Sequence, residues 1–321
     1  MKKTFFRLLA LPIPFRKLRH KVRSLGSDVA TPAEIIQRLT DISKLPPARG
    51  YPRMVQMANL SILMAFDRFC KKHKLEYFVI GGSIIGKLRH NGFIPFDDDI
   101  DVALTDESWD KMVVLFRDKL PNAEFDILYG KYWNFFKIIH KKTGLFLDIF
   151  RFSRLPDKID YTTNYADYKI RKKDYHGAFL ADSVATSARG GIIITDSDTD
   201  DIRAKKWEKI MRVITAEEKL FNDNVRKGMS PIKNGGLAHH SAISKLGEVF
   251  DYNTIYPLQI IEFEGEKIPF PNDMETYAFM VWGDIYKLPK VFVQPGHNTA
   301  LPTAAQWAMV RNLANNKKLE V

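Results

Sequence analysis

The run "FIPFDDDIDVALT" at residues 93–105 constrains this chain more than any other stretch. Asp97, Asp98, Asp99 and Asp101 lead straight into apolar, β-branched residues. "DIDVAL" (99–104) reads as a strand. Strand alternation would set Asp99 and Asp101 on one face, with Ile100 and Val102 on the other. Two ionised carboxylates that close repel each other. They coexist only beside a cation or with a strongly raised pKa. No Cys or His adjoins them, so the ligand set is oxygen alone, which suits Mg²⁺ or Mn²⁺ better than zinc.

A third carboxylate stands in a similar setting. "TGLFLDIF" (143–150) reads as a strand whose only charge is Asp148. A lone charge in a buried strand is costly unless paired. If the two strands are neighbours, three carboxylates converge, enough for one or two divalent ions in phosphoryl transfer. Upstream, "EYFVI" (76–80) is a strand ended by Gly81-Gly82, and "SIIGKLRHNG" is a short helix stopped by Gly92. Free N–H groups at such a strand-to-helix turn favour a phosphate. Gly82 permits close approach, Ser83 adds a hydroxyl, and Lys87, Arg89 and His90 bring positive charge or donors.

Other patterns for these residues fail. Counted as a calcium loop from Asp97, the sixth position is Val102 where glycine is required, and the twelfth is Ser108 where glutamate is required. "GGSIIG" has the wrong glycine spacing for a dinucleotide fingerprint. There is no Walker A sequence, no GxSxG elbow and no HExxH.

The surrounding pattern gives the architecture. "TPAEIIQRLTDIS" is a helix entry capped by Thr31, and "LPPARGYP" (45–52) is a linker. A longer helix follows at about 53–74, with Val55, Leu60, Leu63, Phe66 and Cys70 as its apolar stripe. An acidic-led helix spans 106–120, and "EFDILYG" and "WNFFKIIH" are further strands. From about 157 to 235 helical stretches alternate with polar or Gly-rich segments such as "SARGGIIITDSDTDD", read as loops. "IIEFEGEKIPFP" is a hairpin turned at Gly265, and "ETYAFMVWGDIYKLP" a helix and turn. The expected class is α+β: a mixed sheet flanked by helices, with a helical insertion and a C-terminal hairpin–helix region. The expected divisions are a basic apolar tail (1–30), a catalytic core (31–156), a helical elaboration (157–240) and a C-terminal part of the same catalytic domain (241–321).

Charge distribution narrows the partners. The net charge is +11, yet residues 1–27 hold eight Lys and Arg and no acidic residue. The excess therefore belongs to a tail rather than to a folded face, which argues against nucleic acid. "FFRLLALPIPF" with flanking positive charge is too short to span a bilayer and lacks a small-residue cleavage site. It suits an anionic membrane surface, or else a solvated terminus. No other segment is long and apolar enough to be transmembrane, so the bulk is expected to be soluble. Cys70 is the one cysteine; it excludes a disulfide framework and reads as a buried structural thiol.

The whole run "GGSIIGKLRHNGFIPFDDDIDV" resembles the LicD family of the nucleotidyltransferase superfamily, whose pattern is G-G-[ST]-L-L-G-x-x-R-H-x-G-F-I-P-W-D-D-D-I-D. Phe96 replaces the usual Trp, and Lys87-Leu88 fill a position often held by Ala-Val. "YPLQIIEFEGEKIPFP" and "YAFMVWGDIYKLP", followed by His297, resemble its C-terminal blocks. The resemblance covers roughly residues 55–155 and 250–300. It implies a nucleotidyltransferase-like sheet and a relationship to fukutin-type enzymes. It further implies transfer of a phosphocholine or alditol phosphate group from a CDP-linked donor to a hydroxyl of a cell-surface glycan, free or lipid-linked, with release of CMP.

On that resemblance, Asp99 and Asp101 hold Mg²⁺ or Mn²⁺, and Asp148 completes the site or takes the acceptor's proton. Gly81, Gly82, Ser83 and Arg89 position phosphate oxygens, with Lys87 and His90 nearby. Asp97 supports Arg89 or His90, and Asp98 faces away. Gly283 and Asp284 shape a donor pocket or simply end a helix. His297 contacts substrate or caps a loop. The expected location is the cytoplasm, with a peripheral place on the inner face of the cytoplasmic membrane. Two rivals remain from the residues alone: a DxD glycosyltransferase using a nucleotide sugar, and a non-catalytic membrane-associated scaffold.

Overall fold

A computed structural model of the chain describes residues 41–130, 135–154, 191–224, 236–239, 249–287 and 302–321. The described residues fall in two units. The smaller includes the 3-10 turn Ile42–Lys44, capped where the Asp41 carboxylate accepts from the Ser43 amide at 3.1 Å. The larger, residues 46–285 and 295–321, carries every element below.

Helix α1 spans Gly50–His73. It starts three residues before the expected boundary because Pro52 sits within the first turn, where its missing N–H costs nothing. It ends on Lys74 in the left-handed conformation, after Lys71, Lys72 and His73. The expected stripe Val55, Leu60, Leu63, Phe66 and Cys70 is buried. Burial, with Asp67 nearby, pushes the Cys70 thiol well up, as expected of an inert structural cysteine.

The sheet begins with β1 (Tyr77–Ile80), then α2 (Gly82–His90), β2 (Asp101–Thr105) and α3 (Asp106–Lys119). Strands β3 (Phe125–Gly130), β4 (Phe135–His140) and β5 (Phe146–Arg154) follow, then β6 (Gly191–Ile194) and α4 (Asp200–Asn224). The strand order is β1-β2-β5-β4-β3-β6. Only β2 and β5 are parallel; the other neighbours on this path are antiparallel. The arrangement is the expected α+β class with a mixed sheet and flanking helices.

Short β7 (Leu237–His239) pairs with the end of β5, and β8 (Val249–Phe250) pairs with β7. Then come α5 (Tyr252–Ile255), the hairpin β9 (Gln259–Phe263) and β10 (Glu266–Phe270), α6 (Met274–Trp282) and α7 (Ala304–Ala314).

Register assigns the two faces. One row runs Val79–Val102–Ile149–Phe136. Phe136 meets Trp109 and Phe116 of α3 and Trp207 of α4, so those helices cover that face. On the other face Phe152 stacks on Phe250, which stacks on Tyr277 of α6 at 4.4 Å. The C-terminal elements thus close part of the second face. Arg151 is 2% exposed on the helix-covered face, where Asp106 (2.8 Å) and Glu218 (2.6 Å) neutralise it.

Three local expectations change. "GIII" at 191–194 is the edge strand β6, not loop, because its β-branched side chains cover the far end of the sheet beside α4. Asn91, not Gly92, ends α2: it takes the left-handed conformation and the Gly92 amide reaches back to Gly86 O at 3.3 Å. Strand β2 starts at Asp101 rather than Asp99.

Candidate functional site

The late start of β2 follows from the loop before it. Residues 94–97 turn, with the Asp97 amide donating to Ile94 O at 3.0 Å. The loop is then tied to α1 by two buried amides. Gln56 Nε2 donates to Ile94 O (3.0 Å) and Asp97 O (2.9 Å), and Asn59 Nδ2 donates to Asp98 O (2.6 Å). These bonds hold the loop against α1 before the strand ladder begins. Asp99 therefore lies in the loop and is brought to Asp101 by the loop's course, not by strand alternation. Gln56 and Asn59 are 1% and 2% exposed within a largely apolar face. Two amides inside an apolar stripe are the signal that would have found them.

Asp101 and Asp148 meet through register. They are direct partners in the parallel β2–β5 pair, and the Asp148 amide donates to Ile100 O at 3.3 Å. The row continues to Lys137 on β4, whose Nζ lies 2.9 Å from Asp148 Oδ1. Lys137 escaped the sequence reading, because one lysine in "WNFFKIIH" looks like any solvated strand residue.

The glycines back directly onto the acids. A Cβ on Gly81 would meet Asp101 Oδ2 at 2.3 Å, and one on Gly82 would meet Asp97 Oδ2 at 2.3 Å. Gly81 also holds a φ of +68°, which a side chain resists. Ser83, 3% exposed, lies in the first turn of α2. The N-terminus of α2 and the carboxylates thus occupy one place.

Electrostatics there is crowded. Part of the Asp101 surface still reaches solvent, yet protein surrounds its carboxyl. Burial, then Asp99, Asp148 and Asp97, push that carboxyl well above the usual range, and Lys137 pulls against them. Burial and Asp99 push Asp97 up to about 8. The Asp97 carboxyl is engaged with Asp99 and the Asp98 amide.

The donor set is oxygen-only and rich in negative charge, which fits Mg²⁺ or Mn²⁺ by chemistry. As they stand, the described residues place no three His, Cys, Asp or Glu groups ready to hold an ion. Lys137 meanwhile takes Asp148.

The basic residues after Ser83 are tied to the C-terminal elements. Lys87 Nζ donates to Glu262 O at 2.7 Å and to Asn91 Oδ1. Arg89 Nη1 donates to Ile285 O at 2.9 Å, and its Nε donates to His90 Nε2 at 2.8 Å. Burial, with Arg89 beside it, holds His90 low, so its ring nitrogen stays an acceptor. Gly283, at φ +76°, caps α6, and Asp284 follows it. The Arg89–Ile285 bond brings this turn to the end of α2. His297 and residues 1–27 lie outside the described residues.

Fold and site define an α+β domain with a carboxylate cluster at a Gly-Gly strand-to-helix turn, an arrangement suited to phosphoryl chemistry. Comparison with known proteins finds a family match over part of the chain. Residues 74–181 match the family model for the LicD/FKTN/FKRP nucleotidyltransferase domain. The chain is 34% identical over 122 residues to the lipopolysaccharide cholinephosphotransferase LicD of Haemophilus influenzae, covering 33% of this chain and 46% of that one. It is 33% identical over 94 residues to an uncharacterised protein of Rickettsia prowazekii, covering 28% and 32%. An uncharacterised protein of Rickettsia typhi is 24% identical over 117 residues, covering 34% and 38%. The chain spans less than half the length of each of these relatives.

Proposed function

We propose that this chain transfers a phosphorylated group of the phosphocholine or alditol phosphate type from a CDP-linked donor to a hydroxyl of a cell-surface glycan. The observation that carries the reading is the register placing Asp101 beside Asp148, with Asp97 and Asp101 packed on the Gly81-Gly82 turn. The cholinephosphotransferase name of the Haemophilus relative supports the substrate class.

Asp99 and Asp101 would hold Mg²⁺ or Mn²⁺, with Asp148 completing the set or accepting the acceptor's proton. A divalent ion held there neutralises charge on the diphosphate and on the transferring group. The first-turn amides of α2 and the Ser83 hydroxyl orient phosphate oxygens. The acceptor oxygen bonds to the phosphorus distal to the cytidine. The bond from that phosphorus to the bridging oxygen breaks, and CMP leaves with the bridging oxygen.

The test is a thermal-shift series on the full chain with Mg²⁺ and CDP-choline, CDP-ribitol, CDP-glycerol, UDP-sugars or GDP-sugars. Stabilisation by a CDP-linked compound, followed by CMP release with a glycan acceptor, is expected. Stabilisation by UDP- or GDP-sugars alone would make it a glycosyltransferase. No response to any nucleotide would leave a scaffold. Among the described residues no helix is long and apolar enough to cross a membrane. A peripheral membrane contact through residues 1–27 is tested by liposome flotation with and without them; equal flotation removes it.

A further inference from the structure

Lys137 is held where a strand lysine has no reason to stay. Such side chains ordinarily carry their charge to water. Here three groups keep the ammonium in the site. Asp148 Oδ1 lies 2.9 Å from Nζ, the Phe146 ring centroid 3.2 Å and the Phe135 centroid 5.9 Å. The Lys137 side chain is 15% exposed. Phe135 is itself fixed by stacking on Phe150 at 5.1 Å. The aromatic faces favour a cation at that point, and register fixes its stem directly opposite Asp148.

This places one tethered positive charge inside a cluster of four aspartates. It offsets part of their repulsion while no other cation is bound. A divalent ion approaching Asp148 meets the ammonium already there, and the two cations repel. Lysine has a flexible four-carbon stem and three rotatable donors. Its head can leave the carboxylate without leaving the site, and phosphate oxygens are the acceptors that the donor substrate brings.

We propose that Lys137 is a tethered counter-cation of the carboxylate site: it competes with a divalent ion for Asp148 and, once displaced, gives its charge to a phosphate oxygen of the nucleoside-diphosphate donor. The proposal rests on the metal-assisted reading above. No covalent bond to Lys137 is involved.

Isothermal titration of the full chain tests it, first with Mn²⁺ alone and then with CDP in saturating Mn²⁺. Lys137→Met removes the charge and keeps the stem. It is expected to tighten Mn²⁺ binding about tenfold and weaken CDP binding about tenfold, as removal of one close charge implies. Lys137→Arg keeps both affinities near those of the wild type. Opposite shifts in one variant cannot come from lost packing, which would weaken both. Lys137→Gln should give the same pair of shifts and serves if the Met variant melts early by circular dichroism. Unchanged or weaker Mn²⁺ binding in the neutral variants overturns the proposal, as does an Arg variant that behaves like Met. Mn²⁺ binding by wild type with equal affinity in all variants removes the role of Lys137 alone. Absence of Mn²⁺ binding in every protein, with and without CDP, removes the metal reading and this proposal together.

Discussion

Asp101 and Asp148 are direct partners across the only parallel strand pair on the main path of the sheet. Their side chains share a face, and neither can turn away without breaking the register that buries Val102 and Ile149 on the other. The fold therefore holds like charges together and bears the repulsion. Asp101→Asn keeps the shape and removes one charge. Turnover should fall by about two orders of magnitude or more. The melting temperature in EDTA at neutral pH should stay level or rise, because burial and the neighbouring acids already disfavour the ionised form. Retained turnover would end the metal reading. A fall in melting temperature beyond about 5 °C would show Asp101 to be a structural residue instead.

The acidic loop depends on α1. Gln56→Leu deletes the donor to Ile94 O and Asp97 O; Ile94 O keeps the Asp97 amide, while Asp97 O loses its bond to α1. The expected loss is about 1–3 kcal/mol in urea unfolding. Released from α1, the loop should also hold Mn²⁺ more weakly, which calorimetry reads independently of stability. Gln56→Glu should lose as much, since its carboxylate would face the same carbonyls. A Leu variant as stable as the parent would show that water replaces the amide.

Much of this was legible beforehand. The lone charge in the apolar run around Asp148 and the apolar, β-branched run that follows Asp99 located both strands, because a charge beside such residues has few physical explanations. The stripe of α1 and the turn at Gly265 were equally direct. Three things were not. Asp99 lies outside β2 in a loop that distant amides on α1 hold in place, and sequence distance hides that. β6 looked like loop because a four-residue strand next to Gly and Ser shows no alternation. Lys137 acquires its meaning only from cross-strand register, which no single segment carries.

The two glycines should separate strain from collision. Gly82 begins α2, so alanine there meets only the far end of the Asp97 side chain. Gly82→Ala should fold normally and lose activity as Asp97 shifts. Gly81→Ala adds an unfavourable φ to a clash with Asp101. It should lose activity and also about 1 kcal/mol or more of stability. Equal melting temperatures for the two variants would refute the distinction.

The hairpin tip offers a pH test remote from the carboxylates. Glu264 sits at φ 53° in the β9–β10 turn and reaches back to α1 and the α2–β2 loop. Arg53 binds it as a fork, Nη1 to Oε1 at 2.9 Å and Nη2 to Oε2 at 2.6 Å, and the Phe93 amide donates to Oε1 at 2.9 Å. Burial alone would raise this carboxyl, but the Arg53 and Phe93 bonds outweigh it and hold it below its usual 4.5. A depressed acid adds stability above its unfolded value and loses it as pH falls through the folded one. The melting-temperature gap between wild type and Glu264→Gln should therefore be constant from pH 7 to about pH 4.5, then shrink at lower pH. A gap that stays flat to pH 3, or widens, would mean that Glu264 acts through shape alone.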